Sequence, residues 1–352
     1  MGVLLNRTLA SIKPLDQKSM QQAAARQDTL TKPQGSLGRL EEISIKLAGI
    51  QRRAIPQIAN KAVITMAGDH GVVAEKVGNY PQEVTPQMVL NFVGGGAAIN
   101  VIARQIGARV VVVNMGVAGE LPVEIPVVNK LVARGTANIA KGPAMTEAQA
   151  IQAIEAGIEV VNSEIEKGLD IVGTGDMGIG NTTPSAAICA VMTGQSVEKV
   201  TGRGTGLSDE QLNHKIRVIE KALAFNNPDA TNALDVLTKV GGFEIGGIAG
   251  VILGAAAKGV PVVVDGFISG AAALIAEGLS SQVKDYMFLG HLSVEPGHRI
   301  MAEKLGLNPI VTLDLRLGEG TGAAIGIFIA ETSAKILAEM ATFGEAGVSE
   351  SK

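Results

Sequence analysis

Short, unbroken runs of β-branched residues recur along the middle of this chain, each followed by a longer stretch with helical patterning. Ala62-Val-Ile-Thr65, Arg109-Val-Val-Val-Val113, Leu169-Asp-Ile-Val172 and Val260-Pro-Val-Val-Val264 predict strands, with weaker ones near Met287 and Ile310. A strand with one wet face alternates apolar and polar residues, whereas a run that is apolar throughout is buried on both faces. Strands of that kind, separated by helices, call for a parallel sheet covered on each side. The expected fold is therefore α/β, a Rossmann-like parallel sheet with helices on both faces.

Capping signals place the helices. Thr146-x-x-Gln149 opens one that runs to about Lys167 and stops at Gly168. Ser208-x-x-Gln211 opens another, with Leu212, Ile216, Ile219 and Leu223 on one face. The segment 17–54 reads as helical with a loop at Lys32-Pro33, and the chain is helical again after about residue 322. Neither end contains a strand signal. The expected organisation is a small helical domain formed by both termini, 1–55 and 323–352, beside an α/β domain of residues 56–322.

With 352 residues the chain is long enough for about two domains. Aromatics make up 3% and Trp is absent, so the core must be aliphatic. The net charge of −4, without a basic tract, argues against a nucleic-acid partner, which needs a concentrated Lys/Arg face. A single cysteine, Cys189, rules out an internal disulfide framework and zinc sites built on several thiolates. Met1-Gly-Val-Leu-Leu-Asn6 lacks a signal-peptide pattern. The most apolar stretches are interrupted by Lys258 and Pro261, and by Glu331 and Lys335, so no membrane span is expected. A cytoplasmic setting is the simplest expectation.

Glycine accounts for 44 residues, and it clusters just after the strands. The loops are Gly68-Asp-His-Gly71, Gly173-Thr-Gly-Asp-Met-Gly178, Asp265-Gly-Phe267, Gly290-His-Leu-Ser293 and Leu315-Arg-Leu-Gly-Glu-Gly-Thr-Gly322. Ligands of open parallel sheets bind at the carboxyl ends of the strands, so these loops should converge. Gly173-x-Gly175-x-x-Gly178, with Gly180, Asn181 and Thr182 following, matches a dinucleotide fingerprint and could offer amides to a phosphate. Asp176 inside it, and the lack of a ribose-binding acid about 20 residues on, argue against NAD. No Gly-Lys-Ser/Thr occurs, which disfavours NTPase chemistry.

Glu319, Asp176, Asp69 and Asp265 each stand in a glycine-bearing loop. Several acids in one pocket raise at least one pKa by mutual repulsion, bringing a base closer to its working pH. Each also has a plainer reading. Glu319 could serve a turn leading into a helix, where its charge favours the helix N-terminus. Asp69, next to His70, could tie down its own turn. Lys215 at the edge of a helix face is a surface lysine by default, with a phosphate contact as the sharper reading that the local pattern does not separate from it, and Arg39 reads as a solvated cation.

Taken together, Lys32-Pro-Gln-Gly-Ser-Leu-Gly-Arg-Leu-Glu41, Ala67-Gly-Asp-His-Gly-Val72, Gly173 to Pro184, Val240-Gly-Gly-Phe243, Val264-Asp-Gly-Phe267 and Leu315 to Gly322 stand in an order and spacing that resemble the nicotinate-nucleotide:dimethylbenzimidazole phosphoribosyltransferase family. The likeness runs from about residue 15 to about residue 340. It implies transfer of phosphoribosyl from nicotinate mononucleotide to 5,6-dimethylbenzimidazole with inversion at C1′, by a homodimer that needs no cofactor and no metal. Glu319 matches the family's general base, with Asp176 as a second catalytic candidate. Asp69, Gly175, Gly178, Gly180, Asn181, Thr182, Lys215, Asp265, Ser293 and Leu317 fall at expected substrate-binding positions. Asp176 stands where the pattern calls for Glu, and Tyr80 where it calls for Ser before Pro81. Both changes bear on which base is accepted.

Overall fold

A computed structural model describes residues 2–204 and 206–349. Seven strands form one parallel sheet: β1 Lys61–Gly68, β2 Ala108–Gly116, β3 Val128–Asn129, β4 Ile171–Met177, β5 Val262–Val264, β6 Met287–His291 and β7 Pro309–Val311. Their spatial order is β3-β2-β1-β4-β5-β6-β7. β1 is central, with Ile64 opposite Val111 on one side and Thr174 on the other. All eight of its residues are buried, as its unbroken apolar run requires. The chain moves outward through β2 and β3, then returns to place β4 on the opposite flank of β1. Loops leaving β1 and β4 consequently diverge, and a crevice opens between them.

Helices cover both faces. Glu147–Glu166, Phe243–Ala257 and Phe267–Leu279 lie on one side. Val84–Val93, Ala98–Ile106 and Thr321–Glu339 lie on the other. The capping boxes at Thr146 and Ser208 form as the spacing predicts, starting the helices Glu147–Glu166 and Asp209–Asn226. Thr321–Glu339 is apolar and long enough to cross a membrane on composition alone, but Ala323, Ala324, Ile327 and Ala330 are buried where it crosses the sheet.

The last turns of that helix meet the N-terminal helices Gln17–Thr29 and Arg39–Gln51 around Ala23, Ala48 and Leu337. Arg26 Nε donates to the Leu337 carbonyl at 2.7 Å, a basic cap on the helix C-terminus. Arg39 is not merely solvated, since its guanidinium donates to the carbonyls of Asn308, at 3.0 Å, and Pro309. The helix Val3–Ser11 packs elsewhere, against Glu147–Glu166 and Phe243–Ala257.

Candidate active site

At the carboxyl ends of β4, β5 and β6 lies a cleft. β4 continues to Met177, so Gly173 and Gly175 lie within the strand and not in a phosphate loop. This corrects the loop reading of the Gly-x-Gly-x-x-Gly pattern: the turn starts only at Gly178. Gly180, with φ of 90°, swings the chain into the helix Thr182–Thr193, and Gly178, Gly180, Asn181 and Thr182 all line the cleft. The positive end of that helix favours an anion there.

Lys215 reaches the same corner. It is 1% exposed, which settles the choice against a surface lysine, and its Nζ donates to Thr182 Oγ1 at 2.7 Å. Burial pulls its ammonium down to about 8, while the Glu295 carboxylate acts in the opposite sense. Glu295 Oε1 accepts the Gly204 N–H at 2.9 Å, and Arg316 donates to the Gly204 carbonyl at 3.2 Å. Ser293 lines the cleft beside them, its amide donating to His298 Nδ1 at 2.9 Å. Burial holds the His298 imidazole down at about 3, so it stays neutral and accepts that bond.

The acids stand next to this corner. Asp176 is buried, and its Oδ2 accepts from Asn181 Nδ2 at 2.9 Å while Oδ1 has no partner. Burial, then repulsion from Asp265 and Glu244, pushes its carboxyl well above the usual range. Glu319 follows Leu317 and Gly318, which line the cleft. Its Oε2 accepts the Ile99 N–H at 3.2 Å, at the start of the helix Ala98–Ile106. Burial raises the Glu319 carboxyl and that amide partly offsets the rise. Its φ is 64°, between Gly318 at 84° and Gly320 at 97°. Such a left-handed stretch is open to glycine but costs a residue with a Cβ about 1–2 kcal/mol.

The remaining expected residues lie deeper. Asp69 is fully buried and its Oδ2 accepts the Ala118 N–H at 2.8 Å. Asp265 accepts amides of Gly320 and Ala323. Gly175 backs onto the Glu319 carbonyl. Leu317 and Tyr80 stand at the mouth, 57% and 52% exposed. Val77, Leu207, Phe267 and Ile268 add apolar surface suited to a flat ring. Among the described residues, no group of three His, Cys, Asp or Glu is arranged to hold a metal ion. The cleft thus joins an anion corner, with the raised carboxyl of Asp176 hydrogen-bonded to Asn181 beside it, to apolar walls, and Glu319 lies just behind the lining residues Leu317 and Gly318.

A family model described as phosphoribosyltransferase matches residues 12–348. The chain belongs to the nicotinate-nucleotide–dimethylbenzimidazole phosphoribosyltransferase family. Relatives of that name from Dehalococcoides mccartyi and Desulforudis audaxviator are 62% and 56% identical, each match spanning 99% of both chains. The crystal structure of CobT from Thermus thermophilus superposes with a TM-score of 0.92 at 47% identity, over 95% of this chain and all of that one.

In this phosphoribosyltransferase the sequence reading passed over Glu295, Arg316 and His291. The signal for Glu295 was present in Ser293-Val-Glu-Pro296, where Pro at the first turn of the helix Pro296–Leu305 places the preceding residue at the helix cap. The buried pair of His70 Nε2 and Glu244 Oε1, 2.7 Å apart, joins residues 174 positions distant and left no local trace.

Proposed function

We propose that the chain transfers phosphoribosyl from nicotinate mononucleotide to 5,6-dimethylbenzimidazole, giving α-ribazole 5′-phosphate and nicotinate. The observation that carries this reading is a buried cation at a helix N-terminus set beside raised carboxyls at one cleft. The buried Lys215 points at the N-terminal turn of the Thr182–Thr193 helix. Beside it Asp176 lines the cleft with a raised carboxyl, and Glu319, raised likewise, follows the lining residues Leu317 and Gly318.

The donor phosphate sits at the Gly178–Thr182 turn, held by backbone amides and Lys215. Its pyridinium is already cationic, so departure of neutral ring nitrogen needs no general acid. One benzimidazole nitrogen attacks C1′ from the face opposite the leaving pyridine, which inverts that carbon. The N–H on the other nitrogen becomes acidic as the new bond forms, and Glu319 takes that proton. Its raised carboxyl is better matched to the task at neutral pH than an ordinary glutamate, and a base of this kind contributes about 10²–10⁴ in rate.

The same reading takes the enzyme as a cytoplasmic homodimer. Sedimentation velocity finding only a 36.1 kDa species would count against the dimer. For the reaction, both substrates are incubated with the protein and the products separated by HPLC. Formation of nicotinate and the α-riboside in equal amounts is expected. Nicotinate released without riboside, or neither product, would overturn the assignment.

A further inference from the structure

Asp265 follows β5 and is fully buried. Its carboxylate is turned towards the Glu319 loop: Oδ2 accepts the Gly320 N–H at 3.2 Å and Oδ1 the Ala323 N–H at 2.9 Å. One side chain therefore grips the residue after Glu319 and the first turn of the helix beyond. Asp265 is itself anchored, because its amide donates to Thr174 Oγ1 at 3.1 Å and that hydroxyl donates to Ser269 Oγ at 2.9 Å. His291, whose ring lines the cleft, stands with Nε2 3.9 Å from Asp265 Oδ1.

The loop requires such a grip. Three consecutive residues at positive φ, one of them with a Cβ, form a conformation that persists only where its surroundings over-determine it. Thr65 Oγ1 adds a bond to the Glu319 carbonyl at 3.0 Å, but this constrains the backbone at one point. Asp265 constrains it on the far side of Glu319 and ties it to the helix start.

We propose that Asp265 is a positioning residue for Glu319: its carboxylate sets the conformation of residues 318–320, and so the place of the base, without touching either substrate. The proposal rests on the reading of Glu319 as the base. A double-mutant cycle with Asp265→Asn and Glu319→Gln separates the two. Asn keeps the shape but offers one acceptor where the carboxylate offers two. Asp265→Asn is expected to lower kcat about tenfold to a hundredfold, the scale of one lost charge-assisted bond. KM for nicotinate mononucleotide should stay within about twofold, a change that is small on the usual scale of binding effects. In the Glu319→Gln background the same substitution should add almost nothing. Hydrogen exchange at the Gly320 and Ala323 amides should quicken in Asp265→Asn.

Additive losses in kcat would overturn the proposal, as would faster exchange with kcat unchanged. If Glu319→Gln alone leaves kcat intact, the base assignment fails by itself. The exchange measurement then decides for Asp265, and unchanged protection at residues 320 and 323 would sink it. Should Asp265→Asn not fold, Asp265→Glu, which keeps the charge on a longer arm, goes through the same cycle.

Discussion

The backbone of Gly175 lies against the carbonyl of Glu319 so closely that a Cβ on residue 175 would stand 2.4 Å from that oxygen. Strand β4 therefore forms the floor on which the Glu319 loop rests. Gly175→Ala must push that loop away. We expect kcat to fall while KM for the donor, whose phosphate corner is separate, holds. Overpacking of this kind costs about 1–3 kcal/mol, measurable by urea unfolding. Unchanged kcat would mean that the loop need not rest on β4.

The acid limb of the pH profile should report Glu319. A base works deprotonated, and burial raises this carboxyl above its ordinary value of 4.5. Activity is thus full above the raised value and lost as pH falls through it. In kcat/KM for the benzimidazole, the limb should lie higher than an unperturbed glutamate gives. Glu319→Gln should lower kcat by about 10²–10⁴ and abolish the limb. Persistence of the same limb in that variant would transfer the role to another group.

Lys215 should set the basic side. Its ammonium, held down at about 8, binds phosphate only when protonated, so kcat/KM for nicotinate mononucleotide should fall as pH rises past about 8. Lys215→Met should raise KM for that donor with a smaller effect on kcat. Lys215→Arg should not restore it, because a planar guanidinium does not fit a slot shaped for one Nζ on Thr182 Oγ1. A basic limb that survives in Lys215→Met would oppose this.

His70 and Glu244 are both buried under the turn at Gly178, 2.7 Å apart. Glu244→Ala removes one partner of a buried hydrogen bond and leaves the His70 ring nitrogen unsatisfied, a change that costs about 1–3 kcal/mol. Glu244→Gln, which keeps a hydrogen-bonding group, should cost less. Chemical denaturation of the two variants checks the order, and equal costs would indicate that the hydrogen bond glutamine can keep contributes nothing.

The sheet was legible because a strand buried on both faces is written as a continuous apolar run, which four stretches carried, while β6 and the half-buried β7 gave weaker signals. β3, two exposed residues at Val128 and Asn129, carries none. Glycine misled at positions 173 and 175. It reads as a loop signal, yet here it lies in a strand, where the Thr321–Glu339 helix and its loop come close. Lys215 was undecidable because its burial depends on Thr182 and Glu295, from other elements. The carboxylates were visible as a group, but their division between cleft and floor depends on which way each strand end turns. Single-sequence patterns do not encode that turn.

The Thr321–Glu339 helix starts at the Glu319 loop, crosses β4 to β6 and finishes against Gln17–Thr29 and Arg39–Gln51. During synthesis this order has a price in time. The N-terminal helices and all seven strands leave the ribosome before the segment that covers one face of the sheet and sets Glu319 over β4. Until about residue 339 has been made, β4 to β6 lack the helix that covers one face and Glu319 lacks its place over β4. Activity should therefore require the Thr321–Glu339 helix to have joined the sheet.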